Sequence, residues 1–116
     1  MSDRELLMAA AKAAGLKVII PAAHQRGLWI EGLEDEWNPL TDDGDALRLA
    51  VKLKLNRIEF MAGYSIVTIH MTEMDLKEVK QQMATMIHER QGKDPYAATR
   101  RAIVRAAAEI GAQNGN

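Results

Sequence analysis

The chain has 116 residues, the usual length of a single domain with one core. Its formal net charge of −1 at pH 7 gives no global attraction to nucleic acid or to an anionic membrane. It has no cysteine, which excludes disulfides and thiolate zinc sites, and no apolar run approaches the ~20 residues that span a bilayer. We therefore expect one cytoplasmic α+β domain at residues 1–112 and a disordered tail at 113–116.

A helix and two short strands are predicted first. The helix begins at Ser2 or Asp3 and ends at Gly15, because a polar cap precedes apolar residues that recur at helical spacing. Two β-branched or aromatic runs then predict a pair of strands joined by a turn. The strands span residues 17–20 and 27–31, and the turn spans residues 22–26.

A polar loop at residues 32–44 leads into the second predicted helix. This helix starts at Asp43 or Asp45 and ends near Leu53, and either Asp42 or Asp43 supplies its cap. Its expected buried face consists of Ala46, Leu49, Ala50 and Leu53, with Leu47 and Val51 widening the apolar arc.

A β-hairpin is predicted around Ala62 and Gly63. Its strands run from Arg57 to Met61 and from Tyr64 to His70. Because the connecting loop has two residues, Ile58 should lie opposite Val67 and Phe60 opposite Ser65.

The C-terminal part favours helices. Apolar residues at helical spacing predict a helix over Met74–Met86, although residues 85–89 also fit a strand and periodicity leaves both interpretations open. Asp94 then caps a last helix that Pro95 opens and Gly111 ends. Its predicted buried side chains are Tyr96, Thr99, Ile103, Ala106, Ala107 and Ile110.

The order of these elements predicts an α+β fold. An antiparallel or mixed sheet of about four strands should be covered by helices. Because four helical segments exceed what one face of such a sheet carries, we expect helices on both faces, in a three-layer α-β-α sandwich.

Seven carboxylates and no basic residue lie between positions 31 and 45. Such a cluster around a glycine can ligate Ca²⁺ or Mg²⁺, but it lacks the spacing of an EF-hand. The aspartates at the predicted helix start suit capping equally, and we favour that structural interpretation. A divalent-cation-dependent enzyme or metal-binding protein stays the alternative. The seven carboxylates are Glu31, Glu34, Asp35, Glu36, Asp42, Asp43 and Asp45.

The remaining candidate side chains are an aromatic residue and two arginines. Trp37 either packs over the sheet and holds the acidic loop of residues 32–44, which we favour, or serves as a ligand-stacking platform or an interface anchor. Arg101 and Arg105 lie one turn apart on a predicted solvent face, where Glu109 should pair with Arg105. With Arg100 the last helix carries three arginines, which in a near-neutral domain support nucleic-acid binding only as a weaker alternative.

No catalytic, cofactor-binding or metal-binding residue is predicted. His24, His70 and His88 have no metal-binding spacing. The two serines of the chain lie outside any nucleophile-elbow motif. The sequence therefore favours binding over catalysis.

Two blocks of the chain, Trp37–Leu53 and Asp94–Gly111, resemble a family of small tailed-phage and prophage proteins. That family carries WNPLTDDGDALRLAVKL-like and DPxAATRRAIVRAAAEIG-like blocks, and the opening at Glu5–Gly15 is similar as well. The resemblance implies an α-β-α sandwich of unknown function in the cytoplasm of a bacterial host cell. It implies no activity and no catalytic residues.

We therefore expect an accessory protein of a phage or prophage that acts as a non-catalytic protein-interaction module. Its partner would be a phage or host protein, without a membrane, and association with further copies of the chain is compatible with the sequence. The expected interaction surface consists of Trp37, Asp42, Asp43, Arg101 and Arg105.

Overall fold

The computed structural model describes residues 1–19, 27–70, 74–76, 79–81 and 84–113. Helices and antiparallel strands share this part of the chain, so the predicted α+β class is confirmed. The elements are α1 (Asp3–Ala13), β1 (Val18–Ile19), β2 (Trp29–Ile30), α2 (Asp43–Lys52), β3 (Ile58–Met61), β4 (Tyr64–His70), β5 (Met74–Leu76), β6 (Val79–Gln81), β7 (Ala84–Arg90) and α3 (Pro95–Gln113).

All three helices begin at a residue whose side chain accepts hydrogen bonds from the first turn. The Ser2 hydroxyl accepts from the Glu5 N–H at 3.1 Å, and the Glu5 carboxylate accepts from the Ser2 N–H at 3.1 Å. Asp42 caps α2, and Asp94 accepts from two N–H groups of α3. These side chains satisfy N–H groups that have no partner within the helix, which confirms the predicted caps.

Helix ends deviate from prediction by a few residues. The first helix stops at Ala13, and Gly15 follows with a φ of +70°, a conformation that favours glycine. At the other end of the chain α3 continues past Gly111 to Gln113. The first residue of the predicted tail is therefore helical, and 114–116 lie outside the described residues.

The main sheet has three antiparallel strands in the order β3-β4-β7. Ile58 pairs with Val67 and Phe60 with Ser65, so the predicted register of the hairpin is confirmed. Two smaller antiparallel pairs, β1-β2 and β5-β6, lie outside this sheet. The predicted pair of N-terminal strands is thus confirmed, whereas the turn predicted at 22–26 lies outside the described residues.

The prediction of a helix over Met74–Met86 is wrong. The described residues of this segment form β5, β6 and the start of β7, and β7 pairs along its whole length with β4. Apolar residues recur here at helical spacing, but β5 and β6 pair with each other and β7 pairs with β4. Periodicity within one segment does not reveal such pairing with another strand. The alternative that residues 85–89 form a strand is confirmed.

The helices lie on one face of the main sheet. The central helix α3 packs on β4 and β7, where the Thr99 and Ser65 hydroxyls are 2.9 Å apart, and α1 and α2 pack mainly against α3. Helix contacts with the main sheet thus come mainly from α3, whereas helices on both faces of the sheet were predicted. The reason is the alanine-rich surface of α3, which is buried on several sides and contacts sheet and helices at once.

Three predicted core residues are exposed instead. Leu47 and Val51 lie on the exposed side of α2, and Tyr96 is exposed in the first turn of α3. Nine of the twenty buried core residues in the described part of the chain are alanine, which lets the helices approach closely. The larger buried members are Leu6, Leu7, Leu28, Ile30, Trp37, Leu49, Val67, Ile69, Ile87, Ile103 and Val104.

Candidate functional site

The acidic loop is tied to β2 at its centre. Leu28 and Trp37 exchange backbone hydrogen bonds in both directions, at 2.9 and 2.8 Å. The N–H of Gly27 donates to the Glu36 carboxylate, and a Cβ at Gly27 would collide with that side chain and with the Trp37 carbonyl. Trp37 itself is 4% exposed. The predicted inward packing of Trp37 is confirmed, and its role in holding the loop stays a prediction.

Asp45 joins this loop to α2. One of its carboxylate oxygens accepts from the Asn38 N–H at 2.9 Å, and the other accepts from Arg48 at 2.8 Å. The neighbouring Asp42 caps the helix by accepting from the Asp45 N–H at 2.8 Å. The loop and the first turn of α2 therefore form one hydrogen-bonded unit.

A cleft of about 380 Å³ opens beside this unit. Its floor is apolar and comes from four separate parts of the chain: the end of α1, the segment before β1, the loop, and α2. Clefts of this size with an apolar floor and a few polar groups are typical binding sites. The apolar lining residues are Ala14, Leu16, Leu33, Trp37 and Leu49.

The charged groups around the cleft are unequal in number. Four acidic and two basic side chains line it, and Asp45 and Arg48 pair with each other. Glu34 and Asp35 are exposed and form no ion pair or hydrogen bond within the described residues. Lys52 on the opposite wall is also exposed without an ion pair in that part of the chain. The loop side of the cleft therefore presents uncompensated negative charge.

The three aspartates that the metal-binding alternative requires form other contacts. Asp42 caps α2, Asp45 binds Asn38 and Arg48, and Asp43 pairs with Arg100 at 2.6 Å. Within the described residues, no three histidine, aspartate or glutamate side chains come together as a metal site requires. This geometry supports the structural interpretation of the aspartates.

The two candidate arginines lie on another side of α3. Arg105 donates to the Glu89 carboxylate at 2.6 Å and to the His88 carbonyl at 2.9 Å, and Arg101 pairs with Asp3 at 3.0 Å. The predicted pairing of Arg105 with Glu109 is wrong. Glu89 on β7 is more buried and contacts both arginines, so its attraction is screened less by water than that of an exposed pair within the helix.

The five predicted surface residues do not form one surface. Trp37 is buried below the cleft, Asp42 and Asp43 stabilise the start of α2, and the two arginines hold α3 against α1 and β7. Sequence reasoning missed Leu16, Leu33 and Lys52 as cleft residues. The sequence pointed only to Leu33, which stands next to the acidic residues. Leu16 and Lys52 come from distant positions in the chain.

Arg100 was likewise missed as a structural residue. Its Nε donates to the Leu40 carbonyl at 2.8 Å, and its guanidinium pairs with Asp43, which joins α3 to the acidic loop. The sequence shows Arg100 only as one more basic residue on the last helix. Its contacts depend on how α2 and α3 pack.

Comparisons with family models, with curated proteins and with solved structures found no match for this chain. None of the helices in the described residues is long and apolar enough to cross a membrane.

Proposed function

We propose that this chain is a non-catalytic protein-interaction module that binds a partner through the cleft between the acidic loop and α2. The occupant is an apolar side chain of the partner, flanked by basic residues. The observation that carries this proposal is an apolar cleft whose loop side bears Glu34 and Asp35 without ion-pair partners in the described residues. An apolar side chain of the partner fills the floor of the cleft, and a basic side chain of the partner neutralises the carboxylates at its rim.

The resemblance to tailed-phage and prophage proteins supports a phage or host protein as the partner. A phage accessory protein in the cytoplasm of a bacterial host meets both phage and host proteins, and either class is consistent with the cleft. The cation-dependent alternative is less favoured, because its aspartates cap α2 or form ion pairs. The nucleic-acid alternative is less favoured, because Arg101 and Arg105 pair with Asp3 and Glu89.

A peptide-display selection on the purified protein tests the proposal. We expect enriched peptides to combine one large apolar residue with adjacent lysine or arginine, because only that combination satisfies both floor and rim. Leu33→Asp should abolish their binding, and Asp35→Lys should weaken it by about tenfold or more. Both residues are exposed, so both variants should keep the melting temperature of the wild type.

Two variants provide matched controls. Leu47→Asp changes an exposed leucine outside the cleft, and Glu109→Lys reverses an exposed carboxylate on α3. Neither should alter peptide binding. Selected peptides without basic residues, or peptides that bind Leu33→Asp as well as the wild type, would show that this cleft is not the binding site.

A further inference from the structure

A second hollow lies next to the cleft. It is a shallow groove of about 630 Å³ along the outer side of α1, extending to the start of β1. Met8 is 44% exposed there, and its neighbours one turn away on the same face are Arg4 and Lys12. The apolar lining residues are Met1, Met8, Ala9, Leu16 and Val18.

The groove and the cleft carry opposite charge. Two basic side chains and one acidic side chain line the groove, whereas four acidic and two basic side chains line the cleft. Glu5, the acidic residue of the groove, accepts the Ser2 N–H in the capping box. Lys12 is exposed and forms no ion pair within the described residues. The groove therefore offers what the cleft requires, namely an exposed apolar side chain, Met8, with a basic one, Lys12, one turn away.

Leu16 lines both hollows, so the cleft and the groove adjoin each other. A two-fold axis near Leu16 would place the groove of each copy against the cleft of the other. Such an isologous arrangement satisfies both hollows at once, because every contact occurs twice. A contact on only one side would leave one cleft and one groove open.

We infer that the occupant of the cleft is a second copy of this chain, which inserts Met8 over Trp37 and Leu49 with Lys12 facing the acidic loop. This inference rests on the proposed function, since it identifies the partner of the same cleft. The dimer covers two exposed apolar side chains per copy, Met8 and Leu33. It also brings Lys12 next to carboxylates of the acidic loop that, like Lys12, have no ion-pair partner among the described residues. Methionine at the centre and charge complementarity at the rim are common features of protein interfaces.

Sedimentation velocity from about 1 to about 100 µM protein tests the inference, a range in which micromolar association is visible. The wild type should sediment with twice the 12.9 kDa mass of the chain at the upper end of that range. Met8→Asp should be monomeric throughout. Met61→Asp, which changes an exposed methionine on β3 instead, should dimerise like the wild type.

Charge reversal provides the sharper test. Lys12→Glu and Asp35→Lys should each weaken dimerisation by about tenfold or more, because like charges then face each other twice. An equimolar mixture of the two variants should recover the dimer, since each contact then joins opposite charges again. Lys93→Glu and Glu109→Lys are the matched controls, because both residues are exposed and neither lines the cleft or the groove.

A wild type that stays monomeric at the highest concentration would overturn the inference. So would a dimer that survives Met8→Asp and does not respond to the charge variants. The peptide selection separates this failure from that of the proposed function. Peptides that bind a monomeric wild type and lose affinity for Leu33→Asp leave the cleft as a binding site for a different partner. If the inference holds, the same peptides should dissociate the dimer, because they occupy the same cleft.

Discussion

Different forces stabilise two regions of the molecule: the contact between α1 and α3, here called the seam, and the acidic loop that precedes α2. The seam consists of small apolar residues in close contact, so close that a Cβ at Gly111 would lie 2.1 Å from the Ala9 carbonyl oxygen. The loop contains one large buried side chain, Trp37, and otherwise depends on hydrogen bonds and ion pairs. At Gly111 the seam has no room for another methyl group, whereas the loop carries carboxylates without ion-pair partners in the described residues. Of these two regions, the loop is the one that leaves charged groups available to a partner.

Truncation of Trp37 should have the largest effect and tests whether one side chain holds the loop. Trp37→Ala should reduce the free energy of unfolding by ~3–5 kcal/mol, the range for a buried aromatic residue in a core. Chemical denaturation measures this loss. In a Trp29→Phe background, the remaining fluorescence of Trp37 should be blue-shifted and poorly quenched by iodide. A mutant as stable as its parent would show that hydrogen bonds alone position the loop.

The seam should respond to added volume rather than to lost contacts. Gly111→Ala should destabilise the protein by ~1–3 kcal/mol, because the new methyl group forces α1 and α3 apart. The control is Gly44→Ala in the first turn of α2, where the new methyl group meets mainly the mobile end of Arg48. That change should stay below ~1 kcal/mol. Equal effects at both positions in thermal unfolding would mean that the seam is not close-packed.

The cap of α2 should contribute less than either of these features. Asp42→Ala should cost ~0.5–2 kcal/mol, because the Asp45 N–H loses its acceptor at the helix start. Asp42→Asn keeps an acceptor at the same place and should recover most of the loss. Adding Mg²⁺ or Ca²⁺ should leave the melting temperature of the wild type unchanged. A rise of several degrees would instead indicate a metal site at this turn.

The capping box of α1 should give the smallest effect, and a pH-dependent one. The Ser2 backbone N–H and hydroxyl donate to the Glu5 carboxylate and hold the pKa of Glu5 below its ordinary value. A lowered pKa in the folded state means that its contribution is present above the ordinary pKa and is lost as the pH falls through the folded value. Glu5→Gln should therefore melt slightly below the wild type at pH 7, and the difference should shrink in acid below the ordinary glutamate pKa of 4.5. A difference that is constant with pH would exclude the carboxylate as its source.

Local features of this fold were readable from the sequence. The caps at Ser2, Asp42 and Asp94 and the register of Ile58 with Val67 depend on residues within a few positions of one another. Side-chain oxygens reach only the next turn of their own helix, and a two-residue loop leaves one register for its strands. The burial of Trp37 was also predictable, because so few other aromatic residues exist to fill the core.

Features that join distant parts of the chain were decided only by the tertiary structure. The segment that ends at Arg90 is a strand because β4 supplies its hydrogen-bond partners, and Arg105 binds Glu89 because α3 lies on β7. The cleft depends in the same way on Leu16, Leu33 and Leu49 meeting beside Trp37. By itself the sequence determined the α+β class, the helix starts and the acidic character of the loop. Hydrogen-bond partners, ion-pair partners and cavity walls come from residues far apart in the chain, so only packing decided them.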